Sequence, residues 1–363
     1  MRILSRRSTA QCHLNLYTLY LLSEPLHVSC LRLSQILADL SHDSINRFLL
    51  RERYSPKDLF DEVKAKLKLS GGTLSGDDTV LDKPYRDPEK TALVAFFWSG
   101  KHKRVVKGIN LITLYYTDTE GVSVPVNYRL NDKQDGKTKH DYFREMIAEV
   151  MEWGIQPAII TADSWYASVG TLTHLKNGAW GFLFAIEANR LVQVGTEPYK
   201  HVQRCDIPPD GLIVQLKQVG LVKVFRTIFK HEFRHYILWL PAPAVLPSVA
   251  AECLAIDPTV TEAQIQLRLA TVTEAQFTQI HDQHWGIEQF HRAVKQVCNI
   301  ERFQVRDTQA IHTHIFSALR AFVQLEFKRA EGAIRNWYEL QRTLFNPLIR
   351  EFIQDNLAEI AGV

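Results

Sequence analysis

The chain has 363 residues, 46% hydrophobic and 23% charged, which excludes a disordered or low-complexity chain and allows one large buried core with smaller attachments. A formal net charge of +3 neither demands nor excludes a polyanionic partner, so the local distribution of charge has to decide that question. Cys12, Cys30, Cys205, Cys253 and Cys298 stand far apart with no C-x-x-C pair, which excludes a cysteine-rich zinc site and a secreted disulfide framework and fits a reducing cytoplasm.

The first 70 residues read as helical. Arg2, Arg6 and Arg7 precede an apolar run over 14–22 that is too short to span a membrane and is stopped by Ser23, Glu24 and Pro25, so a buried helix is expected there rather than a secretion signal. Leu31, Leu33, Ile36, Leu37 and Leu40, then Ile45, Phe48 and Leu49, recur at helical spacing on either side of Ser41, His42 and Asp43. Two short helices with Ser44, Asn46, Arg47 and Arg51 on the second suit a helix-turn-helix facing DNA, and equally a plain helical hairpin. Lys64, Lys66, Lys68, Gly71 and Gly72 read as a basic linker.

From residue 73 strand patterns take over. A first strand over 73–81 carries Asp77 and Asp78, and two β-branched and aromatic runs, 109–116 and 122–128, flank the turn Asp118-Thr-Glu-Gly121. A helix is expected over 140–153, and a short apolar strand, 158–162, ends on Asp163. A helix through Leu172 and Leu175 and a strand over 181–186 complete the order β-β-β-α-β-α-β of a ribonuclease-H-like domain. More strand material, 211–216, 222–229 and 236–240, reads as an inserted β-rich subdomain, after which a long helix is expected over 274–297.

The expected fold is therefore α/β, a ribonuclease-H-like mixed sheet flanked by helices, with an inserted β-rich subdomain and a helical N-terminal domain. In residues, this is a helical DNA-binding region over 1–70, a first part of the core over 71–189, the insertion over 190–270, the last core helix within 271–305, and a C-terminal helical region over 306–363.

Two-metal phosphoryl chemistry needs carboxylates on different elements converging on one point. Asp77 on the first strand, Asp163 at the end of the strand beside it, and Glu288 on the long helix occupy such places. Alternation lets only one of Asp77 and Asp78 point at the site, with Asp77 preferred, and Asp163 also suits a helix N-cap. On the long helix, His284, Glu288, His291, Arg292 and Lys295 share a face beside the apolar stripe of Ile287, Phe290, Val294 and Val297. That face suits either a solvated ion pair or a metal-holding glutamate followed by cations that grip a DNA strand. Lys101, Lys103, Arg104 and Lys107 form one basic cluster, and Lys133, Lys137, Lys139 and Arg144 a second. Trp285 is expected in the core.

Asp77-Asp78-Thr79 with Lys83 nearby, Asp163-Ser-Trp-Tyr166, and Glu288 followed by Lys295 resemble the DDE transposases of bacterial insertion sequences, over roughly residues 70 to 300. A related signature places a tyrosine, an arginine, a glutamate and a lysine on one helix. The last two match Glu288 and Lys295, whereas the first two fall on His281 and His284 and depart from it. The resemblance implies catalysis by Asp77, Asp163 and Glu288 holding Mg²⁺, or Mn²⁺ in its place, as two ions. It also implies double-stranded DNA as partner, both transposon ends and target; the residue pattern itself offers Lys295, Arg292, Arg47, Asn46, Lys103 and Arg104 for the contacts. A homodimer would act on the nucleoid of a bacterial cytoplasm, nicking at terminal inverted repeats and joining 3′-hydroxyl ends to target DNA. A structure-specific nuclease of the same fold and a catalytically silent DNA-binding descendant share much of this pattern, while a glycoside hydrolase would need sugar-lining aromatics instead.

Overall fold

The computed structural model describes residues 11–25, 28–84, 91, 93–241 and 262–360, so Arg2, Arg6, Arg7 and Cys253 lie outside the described residues. The chain divides into two compact units, the first made of residues 1–59, 81–109 and 290–363 and the second of 60–80 and 110–289.

The first unit is built around one helix. Helices α1 (Leu14–Ser23), α2 (Cys30–Ile36) and α3 (His42–Arg51) open it, and α4 (Pro56–Val63) leads out of it. Near its other end, α9 (Thr308–Ala330) buries residues on every side, from Ile311 and Ile315 to Phe316, Leu319 and Phe322. A helix that is apolar all round has to be central, and α1 and α3 supply its cover. The Tyr17 hydroxyl meets His314 Nδ1 at 2.9 Å, Tyr54 stacks on Phe316 with ring centroids 4.3 Å apart, and Asn299 donates to the carbonyls of Leu21 and Glu24 at 2.7 Å each. Burial, helped by the charge of Lys83, pushes His314 down to about 3, so it sits in this core as a neutral ring. The described helices α1 and α3 of the N-terminal region and α9 of the C-terminal region thus share one core, while residues 60–70 belong to the second unit. The apolar run over 14–22 is a buried helix, as its composition suggested, and among the described residues no helix is long and apolar enough to cross a membrane. This unit also holds β2 (Ala95–Ser99), absent from the sequence reading, which pairs antiparallel with the first residues of β3 (Arg104–Thr117).

The second unit is a mixed sheet with helices. Its strands are β1 (Thr73–Asp82), the later part of β3, β4 (Ser123–Leu130), β5 (Ile159–Ala162), β6 (Phe182–Ile186), β7 (Leu191–Gln193), β8 (Lys200–His201), β9 (Leu212–Leu216), β10 (Gly220–Phe229) and β11 (Glu232–Trp239). They follow the spatial order β4-β3-β1-β5-β6-β11-β10-β9-β7-β8, with β1, β5 and β6 parallel and the pairs from β6 to β8 antiparallel. Helices α5 (Lys139–Glu152) and α6 (Val169–Asn177) make the crossovers of the parallel strands, and α5 starts on a capping box between Thr138 and Asp141. This is a ribonuclease-H-like α/β fold.

The β-rich insertion does not make a sheet of its own. Strand β11 pairs directly with β6, Trp239 opposite Phe182 and His235 opposite Ile186, so the insertion covers an edge of unpaired N–H and C=O groups that β6 would otherwise expose. Its last described stretch is α7 (Glu262–Thr271), a helix for which the sequence reading named no element. The long helix α8 (Glu274–Val297) has the bounds its periodicity gave, and its residues up to Gln289 belong to this unit.

Candidate active site

Strand β1 separates two environments. Its pairing with β5 sets Ser75 opposite Thr161 and Gly76 opposite Ala162, so the next step brings Asp77 to Asp163. Alternation then puts Thr73, Ser75 and Asp77 on one face and Gly76 and Asp78 on the other.

The Asp78 face is filled. Asp78 Oδ2 accepts from Asn110 Nδ2 at 2.5 Å and from Lys139 Nζ at 2.7 Å, and its Oδ1 accepts from the Tyr166 hydroxyl at 3.0 Å. Below it, a Cβ on Gly76 would overlap the Phe143 ring of α5, so only glycine lets that helix approach so closely. Phe143 in turn packs on Tyr166 with ring centroids 4.5 Å apart. Asp78 is therefore an anchor that ties three elements together.

On the other face the carboxylates meet with little neutralisation. Asp163 caps the turn of residues 164–166, its Oδ1 accepting from Trp165 N–H at 3.1 Å, and Asp77 Oδ1 accepts from Asp78 N–H at 2.7 Å. Burial and then the charges of Asp77 and Asp78 hold Asp163 well above the ordinary carboxylate value. An all-oxygen pair of carboxylates that repel each other suits a hard divalent cation, whose charge would relieve the repulsion.

Helix α8 is latched to this same face. Gln283 bonds Thr73, and His284 Nδ1 lies 2.9 Å from Thr161 Oγ1, which donates to Ser75 Oγ at 2.8 Å. With its proton given to Ser75, Thr161 accepts from His284, which fixes the tautomer with hydrogen on Nδ1. Burial pushes His284 down to about 4 while the Asp77 charge acts against it, so the ring is neutral near pH 7. One turn earlier, His281 Nε2 meets the Tyr236 hydroxyl at 3.1 Å, and Phe277 stacks on Phe225 with centroids 4.4 Å apart. His281 and His284 thus occupy the two departing positions of the signature as fasteners between helix and sheet.

Glu288 is exposed and lies one turn beyond His284 on the same side of α8. Among the described residues no three His, Cys, Asp or Glu side chains converge at metal-ligand spacing. The structure therefore brings Asp77 and Asp163 together and sets Glu288 on the helix fastened to their face.

The remaining expected contacts are distributed elsewhere. On α3, Asn46 and Arg47 are exposed, with Asn46 on the lining of a cavity of about 370 Å³ that also includes Tyr17, Leu49 and Phe303. Ser44 is not available to DNA, because it is buried and accepts from the backbone of Gln11 and Cys12. Lys103 sits in the β2–β3 turn with a positive φ of 49°, and Arg104 opens β3, both exposed. Arg292 is exposed, whereas Lys295 pairs with Glu301 at 2.7 Å. Lys83 is buried and donates to the carbonyls of Glu301 and Phe303, a structural role. In the second basic cluster, Lys137 pairs with Glu145, Lys139 with Asp78 and Arg144 with Asp141, so three of its four cations are taken up by carboxylates. Trp285 is 42% exposed rather than core, and Trp165, two residues after Asp163, is 61% exposed with Lys139 Nζ 5.6 Å from its ring centroid. The Lys139–Asp78–Tyr166 network was missed in the sequence, although Tyr166 belongs to a motif already singled out and the period of two separates Asp77 from Asp78.

Comparison with known proteins supports the fold. A piggyBac transposase, solved by cryo-electron microscopy as a synaptic complex with hairpin DNA, is similar over 95% of this chain and 71% of its own, at 12% identity and a TM-score of 0.50. The Drosophila P element transposase in its strand transfer complex aligns over 54% of this chain and 48% of its own at 10% identity, with a TM-score of 0.27 that is too low to bear on the fold. None of the curated protein sequences matches. The family described as DDE superfamily endonuclease matches residues 2–217, a span that holds Asp77 and Asp163 and stops before α8. With more than half of its length matched, the chain belongs to the DDE superfamily endonuclease family.

Proposed function

We propose that the protein is a transposase of a bacterial insertion sequence, which nicks DNA at terminal inverted repeats and joins the freed 3′-hydroxyl ends to target DNA as a homodimer in the cytoplasm. The observation that carries this reading is the meeting of Asp77 and Asp163 on the sheet face to which α8, with Glu288, is fastened. Asp77, Asp163 and Glu288 would hold two Mg²⁺ ions, or Mn²⁺ in their place. Such ions, when bound, activate an attacking hydroxyl and stabilise the leaving oxygen.

The chain's own groups supply positioning. Asp78 keeps β1, α5 and the Tyr166 turn in register, so that Asp163 is aimed by a rigid frame rather than a loop. His284, neutral and hydrogen-bonded through Nδ1, fixes the rotation of α8 and with it the direction of Glu288. Asn46, Arg47, Lys103, Arg104 and Arg292 are exposed and suited to phosphate contacts, and Lys295 reaches DNA only by leaving Glu301.

The test is cleavage of an inverted-repeat duplex with and without Mg²⁺ or Mn²⁺. Asp163→Ala and Glu288→Gln are each expected to abolish cleavage while duplex affinity and folding stay near those of the parent. Cleavage by Glu288→Gln within about threefold of the parent would remove Glu288 from the triad, and unchanged cleavage by Asp163→Ala would remove the site itself.

A further inference from the structure

The β10–β11 hairpin ends in a ribbon whose chemistry the active site does not use. Beyond the buried pair Phe225 and Tyr236, residues 226 and 228–234 are exposed, with Ile228 at 71%, Phe229 at 42% and Phe233 at 56%. Its tip turns through Lys230 and His231, both with positive φ. Cross-strand register sorts the side chains by face, since Ile228 stands opposite Phe233 and Arg226 opposite His235, while Phe229 stands opposite Glu232 and Thr227 opposite Arg234.

Each face therefore carries its own stacked arginine. On one, Arg226 lies 4.6 Å from the Phe233 ring centroid and donates to the Ile207 carbonyl at 3.5 Å. On the other, Arg234 lies 4.1 Å from Phe229, with Lys230 5.3 Å from the same ring. Stacking holds the guanidinium groups flat along the ribbon and leaves N–H groups outward. Three cations stand here against one carboxylate, Glu232.

We propose that this ribbon, Arg226 to Arg234, is a second DNA-binding element that enters a groove of double-stranded DNA apart from the cleavage centre. A two-stranded ribbon fits the major groove, where cations on both of its faces reach the phosphates of both walls. The exposed Ile228, Phe229 and Phe233 supply apolar contact to base edges or steps at its tip. Placement of the rings on opposite faces favours a duplex over a single strand, which would stack on rings gathered on one face.

The inference rests on reading the protein as a DNA-processing enzyme, and the experiment separates the two. Full-length protein is titrated with a labelled duplex in EDTA over a series of KCl concentrations, followed by fluorescence anisotropy. Arg226→Gln with Arg234→Gln is expected to weaken binding about tenfold and to lower the slope of log K against log salt by about two. Phe229→Ser with Phe233→Ser is expected to weaken binding at least about threefold with the slope unchanged. Parental affinity and slope in both double variants overturn the proposal, as does a loss confined to a single-stranded oligonucleotide. Asp163→Ala serves as the internal control. If it loses cleavage while the ribbon variants bind as the parent does, only the ribbon assignment fails; if it cleaves normally while they lose binding, only the active-site reading fails.

Discussion

Two sides of one strand differ more in this protein than many whole domains do. Asp77 and Asp78 are adjacent on β1, yet Asp78 meets three donors and a close-packed helix, whereas Asp77 faces a second carboxylate and a neutral histidine. One side of the strand is tied down by donors from three other elements, and on the other two carboxylates raise each other's cost of ionisation. On the proposed function, the first side holds the frame and the second does the chemistry.

Exchange of the two aspartates breaks the comparison most directly. Asp77→Asn is expected to lower metal-dependent cleavage by at least about 10³-fold, the equivalent of roughly 4 kcal/mol, with folding stability unchanged or slightly raised. Asp78→Asn is expected to lower stability by about 2–3 kcal/mol, because it removes the charge that Lys139 pairs with and turns one of the two acceptor oxygens into a donor. Cleavage rates together with urea midpoints check both, and equal losses of stability in the two variants would erase the distinction.

A smaller effect is expected at the latch. Thr161→Val removes the hydroxyl between His284 and Ser75, and should cost about 1–2 kcal/mol and slow cleavage about tenfold by loosening α8. Thr161→Ser should restore both, since the positioning hydroxyl returns. A valine variant that is destabilised yet cleaves at the parental rate would show that α8 is set by its packing alone.

The smallest effect sharpens the electrostatics. Asp163, held above its unfolded value, carries more protons folded than unfolded, so its contribution to stability falls as pH rises from about 4. His284, pushed down to about 4, carries fewer, so its contribution rises between about 4 and its unfolded value near 6.5 and is complete above that. The two oppose each other in the parent. Asp163→Asn removes the opposing contribution and leaves that of the histidine in place, so stability, measured without metal, should climb more steeply with pH over that window. An unchanged slope would mean that Asp163 is not shifted by this face.

Much of this was legible in the sequence. Helix α8 and the core strands announce themselves through apolar periodicity, and Asp163 through its place at the end of a short buried run. Asp77 was preferred over Asp78, but alternation says only that two neighbours diverge and not which side is occupied. The partners that fill the Asp78 side include Lys139 and Asn110, 61 and 32 residues away. The insertion was read as separate because strand patterns do not name their partners, and the union of the helical ends was hidden because each looks amphipathic or apolar without reference to α9.

That union has a consequence for biosynthesis. Tyr17 and His314 are hydrogen-bonded across 297 residues of sequence, so α1 and α3 leave the ribosome long before the helix they cover exists. At about 5–20 residues per second, the wait is roughly 15 to 60 seconds. Meanwhile residues 60–80 and 110–289 have emerged and can fold, whereas the apolar α1 has contacts such as Tyr17 on Phe48 of α3 but not yet the α9 surface that completes its burial. The first unit to appear is thus the last to be completed, and its opening helix is the segment most in need of a chaperone during synthesis.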